Sequence, residues 1–65
     1  MDFVEKARIR MEHWITHNDQ HQEEYETFVK ELEEGGKESS AKHVKEMIEL
    51  SAKCTECLRN ALEKL

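Results

Sequence analysis

Three histidines recur every four residues in the stretch His13-Trp14-Ile15-Thr16-His17-Asn18-Asp19-Gln20-His21. On a helix that spacing sets the side chains in a slow diagonal stripe. Neutral imidazole is the commonest metal ligand among side chains, so the chemistry this stripe suggests is binding of a divalent transition metal, zinc or nickel. A second chemistry-bearing pair, Cys54 and Cys57, stands in the last quarter of the chain. Two imidazoles and two thiolates make a sensible tetrahedral zinc set. His43 lies far from both groups in sequence and reads as a structural or surface residue.

The elements that must position these groups follow from composition. A chain of 65 residues makes one small domain with a modest core. Charged residues make up 38%, proline is absent, and strong helix formers dominate. The one break is Gly35-Gly36, where glycine can take the left-handed backbone that ends a helix, with Ser39-Ser40 placed to cap the next one. Lys30 suits a helix C-terminus, whereas Glu31, Glu33 and Glu34 oppose the dipole there. The sequence thus predicts an all-α protein: a single domain over 1–65, with a helix over about 2–34, a turn over about 35–37 and a helix over about 38–64.

Hydrophobic periodicity sharpens this to a two-helix antiparallel hairpin. In the first segment Val4, Ala7, Met11, Trp14, Asn18, His21, Tyr25, Phe28 and Leu32 alternate three and four apart, a heptad seam. In the second, Ala41, Val44, Ile48, Ser51, Thr55, Leu58, Leu62 and Leu65 do the same. Beside that seam runs another row: His43, Met47, Leu50, Cys54, Cys57 and Ala61. Together the two rows cover more of the helix than one antiparallel neighbour can hide. The economical solution is a homodimer forming a four-helix bundle.

The hairpin also relates the two ligand groups. With the turn at Gly35-Gly36, residues whose numbers add to about 71 lie level, which sets His17 beside Cys54 and His13 or Trp14 beside Cys57. Each pair sits to the same side of its own seam, so imidazoles and thiolates are expected on one edge at one height. Each piece has a plainer reading as well. Cys54 and Cys57 can be small buried hydrophobes. Asn18 and His21 can be a buried polar pair that fixes register, and His13 a solvated surface group. Glu24 is placed to accept an imidazole N–H behind a ligand.

Other functions fit poorly. No glutamate lies three residues before a histidine, as a ferritin-like di-iron site requires, and no glycine-rich phosphate loop is present. Neither cysteine has the electropositive setting of a nucleophile, so no enzyme is expected. A net charge of −5 disfavours nucleic acid and anionic membrane surfaces as partners. No apolar run approaches a membrane span, and no secretory signal is read at the start, so the expected setting is a reducing cytoplasm.

The stretch from His13 to Tyr25 resembles the opening of a family of small uncharacterised helical-hairpin domains of bacteria and archaea. Their pattern is His-Trp-Ile-x-His-Asn-x-x-His-x-Glu-Glu-aromatic, and such hairpins also occur fused behind small nickel-binding proteins of the CooT type. The resemblance implies that His13, His17, Asn18 and His21 belong to the family signature and that a metal role fits it. Cys54 and Cys57 depart from it, standing where Leu or Ala-like core residues are expected, which shifts weight to the histidines. The expected function is therefore metal binding through His13, His17 and His21, with Cys54 and Cys57 as possible thiolate partners. The competing reading is a structural dimerisation or protein-interaction module without metal. A third is an acidic adaptor for an unknown basic protein.

Overall fold

Asp2 opens the first helix: its backbone is extended and its side chain accepts a hydrogen bond from the Glu5 amide at 2.8 Å, satisfying one of the donors that a helix start leaves free. The computed structural model describes residues 2–65, and in it α1 runs over Phe3–Glu34 and α2 over Glu38–Glu63. Both helices fall within a residue of the expected bounds, and the chain is the expected helical hairpin. It is long and thin, 51 × 15 × 11 Å, with a radius of gyration of 15.3 Å against about 11 Å for a compact chain of this length.

Two glycines and a lysine make the turn. Gly36 takes φ +77°, its amide donates to Glu33 O at 3.0 Å, and the Lys37 amide donates to Leu32 O at 2.8 Å. That pair of bonds is the Schellman closure of α1. The chain re-enters helix at once, with the Ala41 amide donating to Lys37 O at 3.0 Å. Lys37 therefore holds the N-cap position without a side-chain hydrogen bond. Ser39 and Ser40 do not cap α2 as expected, because a turn this short leaves them inside its first helical turn.

Packing between the helices is narrow. Among the described residues Val29 and Ala41 are the buried apolar side chains, and Thr55 is the buried polar one, its hydroxyl donating to Ser51 O at 3.1 Å. The seam of α2 is the one its periodicity predicts as far as the helix runs: Ala41, Val44, Ile48, Ser51, Thr55, Leu58 and Leu62 are its buried or half-buried positions, while Leu65, beyond the helix end, is exposed. The seam of α1 differs by one row. Met11, Asn18, Tyr25 and Leu32 face α2 as expected and Ala7 is half-buried, but beyond it the partners are Ile15, Gln22 and Val29, not Trp14, His21 and Phe28, and Val4 is exposed. Trp14 and Phe28 remain 47% and 49% exposed.

Physical reasons favour this choice. Opposite Val29, Gln22 and Ile15 the antiparallel register sets Ala41, Ile48 and Thr55, and small or β-branched side chains let the helices approach closely. Gln22 spans the seam, its Nε2 donating to Ile48 O at 3.1 Å. The same rotation brings Asp19 to Arg59 (3.0 Å) and Glu33 to Lys45 (2.9 Å) along one edge. Each half-exposed pair contributes less than about 1 kcal/mol, so they set register more than stability.

The turn and the seam can each be tested by substitution. A Cβ at Gly36 would meet nothing within 4 Å, so Gly36→Ala carries only the backbone penalty of positive φ. It is expected to lower the unfolding free energy by about 1–2 kcal/mol, and Gly36→Asn by less, measured by urea denaturation. Ala41 is 1% exposed; Ala41→Leu overfills the seam and is expected to cost about 1–3 kcal/mol in the same assay.

Candidate functional site

The three histidines form a ladder of rings on α1 that Tyr25 completes. Ring centroids are 5.1 Å apart from His13 to His17, 5.3 Å from His17 to His21, and 6.0 Å from His21 to Tyr25. The last pair is stacked, at 12° between planes. A four-residue step overshoots one helical turn by about 40°, so the ladder winds around the helix. His13 lies opposite the seam, His17 on the outer flank and His21 beside the seam, and Tyr25 is the half-buried last rung inside it.

His21 does not point into the seam as its place in the predicted heptad implied. Its side chain is 46% exposed, and its Nδ1–H donates to Glu24 Oε2 at 3.2 Å. The contact expected of Glu24 is thus present. It selects the tautomer that leaves Nε2 as a free lone pair. Asp19, the other carboxylate in this stretch, is held by Arg59 on the far edge and is withdrawn from the ladder. His43, on α2, lies 3.9 Å from the Glu46 carboxylate. The buried Asn18–His21 pair does not form either; the cross-helix polar contact belongs to Gln22.

Cys54 and Cys57 are free thiols, both exposed. Among the described residues no three His, Cys, Asp or Glu side chains converge in a geometry that could hold a metal ion. The four-ligand arrangement of His13, His17, Cys54 and Cys57 is therefore not assembled within one hairpin. The cause is the one-row change of seam. One heptad row is about 50° of rotation, and that rotation turns His13 and His17 away from α2 instead of toward its thiols.

What remains is a chemically competent surface. Two imidazoles one helical turn apart on one face are the arrangement by which helices present two nitrogen ligands to one zinc ion. The ladder contains two such pairs, His13 with His17 and His17 with His21, and His17 belongs to both. The sequence spacing places all three histidines on this ladder; Tyr25, read from the sequence as a seam residue, is also its fourth ring, its spacing from His21 repeating the same interval. It also assigned Trp14 and Phe28 to the core, where the structure leaves them half exposed.

No helix is long and apolar enough to cross a membrane, among the described residues. No curated protein and no solved structure gives a significant match to the chain. A family model described as a domain of unknown function, DUF8180, matches residues 7–65. That stretch includes the whole ladder, the turn and α2, and over it the chain belongs to the DUF8180 family.

Proposed function

We propose that this hairpin binds a divalent transition metal ion through the imidazole ladder of α1. The observation that carries the reading is the ladder itself: rings spaced 5.1 and 5.3 Å apart on consecutive turns of one helix. His17 is the shared ligand. His21 is the better second ligand, because its bond to Glu24 fixes the ring and the tautomer. His13 supplies the alternative pair. One helix face offers one ion two ligands at a time, so water or groups from a second chain complete the coordination, and the thiols of Cys54 and Cys57 stand in reserve for that role. Two fixed ligands and open positions suit reversible binding, as in storage, delivery or sensing. The resemblance to hairpins fused behind nickel-binding proteins makes nickel the probe to set beside zinc.

Zinc or nickel at about 100 times its Kd is expected to stabilise the fold by about 2.7 kcal/mol, read as a rise in melting temperature. His17→Ala should weaken binding more than His13→Ala or His21→Ala. A melt indifferent to both metals and to His17→Ala would overturn the proposal. Replacing both cysteines by alanine is expected to leave the affinity of one hairpin unchanged; a fall would make the thiols ligands.

A second reading is favoured by a separate observation, the large apolar side chains left exposed along the hairpin. In it the protein is a structural self-association module that needs no metal, and metal-independent association with no metal response would select it.

A further inference from the structure

The ion pairs Asp19–Arg59 and Glu33–Lys45 define one edge of the hairpin, and the rows of seven-residue spacing along it are acidic on α1: Glu5, Glu12, Asp19, Glu26 and Glu33. On the opposite edge lie the rows on the other side of each seam. These are Ala7, Trp14, His21 and Phe28 on α1, and Ser40, Met47, Cys54 and Ala61 on α2. In a chain that is 38% charged, none of these eight positions is Asp, Glu, Lys or Arg. Leu50, on the row next outward, is 62% exposed. At the open end the edge is hollowed into a groove lined by Phe3, Met11, Trp14 and Leu58, with Lys6 and Arg10 also in its wall.

We infer that this uncharged edge is the face on which a second copy of the chain packs, giving a four-helix bundle. Surface area carries the argument. The hairpin exposes 5245 Å², whereas a compact folded chain of its 7.7 kDa exposes about 4300 Å². The excess is about 900 Å² per copy. A pairing that brought each copy down to the compact value would bury about 1,800 Å² together, within the roughly 1,200–2,000 Å² of stable specific interfaces. Charge selects the occupant. The carboxylate edge sets five acidic side chains of α1 against Lys45 and Arg59 of α2 and would meet its own copy with acidic charge in excess, while the eight uncharged positions meet theirs with Lys6 and Arg10 as the flanking charges. The face includes His21 and Cys54, named above as a ligand and a reserve ligand, but association through it needs no ion, so its test is run without metal.

The test is sedimentation of the full chain in chelator and reductant, so that neither metal nor disulfide contributes. The wild type is expected at twice 7.7 kDa. Leu50→Glu and Met47→Glu, at positions exposed in the hairpin, should give a helical monomer, while Glu26→Gln on the carboxylate edge leaves the dimer intact. If the glutamate variants lose helicity, Leu50→Ala takes their place and must raise the dimer Kd at least about tenfold. A wild type monomeric at every concentration overturns the inference and leaves the edge to a different protein. A dimer indifferent to Leu50→Ala and Met47→Ala overturns it equally.

Discussion

Two antiparallel helices can bury only the strip that each turns to the other, about two heptad rows wide. In this hairpin the strip closes over Val29, Ala41 and Thr55, with half-buried neighbours along its length. Small residues on α2 make the approach possible, and Gln22 fixes it by reaching the Ile48 carbonyl. The rotation of α1 that satisfies this strip then places every other group. Carboxylates go to the edge that holds Lys45 and Arg59, uncharged side chains go to the opposite edge, and two of the three imidazoles turn outward. No further contact has to specify any of these positions.

Much of this was legible in the residues. Gly35-Gly36 located the turn, because positive φ at Gly36 is a requirement that few other residues meet. The α2 seam followed from its periodicity: of the two neighbouring rows there, the one of Ala41, Val44, Ile48, Ser51, Thr55, Leu58 and Leu62 carries the unbroken three-four alternation and is the one buried. α1 was ambiguous: the Met11, Asn18, Tyr25 and Leu32 row is flanked by Trp14, His21 and Phe28 on one side and by Ile15, Gln22 and Val29 on the other. Side-chain size favours the first flank, and complementarity to α2 favours the second. Complementarity is a property of the pair of helices, not of either sequence segment alone, so the one-row difference lay beyond periodicity. That same row decided whether imidazoles and thiols could meet.

The histidine ladder draws its order from a different source. Its spacing is backbone geometry on an uninterrupted helix, and so survives the change of seam that dissolved the mixed histidine and cysteine arrangement. Tyr25 ties its lower end to the packed strip, and Glu24 fixes the ring above. The upper end at His13 lies farthest from any tertiary contact. The three imidazoles therefore differ in partners down the helix: His21 has Glu24 and Tyr25, whereas His13 has the neighbouring ring of His17.

The contrast between the two edges has a consequence for the size any assembly can reach. A surface that sticks on both sides propagates into filaments, whereas one that sticks on a single side closes on itself and stops. Along α1 the row of five carboxylates is only partly neutralised, and Glu12 and Glu26 have no ion pair among the described residues. That edge repels its like and is well hydrated. For the association proposed above it would act as a terminator: the carboxylates left unpaired on this edge oppose growth in its direction, which favours closed, finite assembly over open-ended stacking.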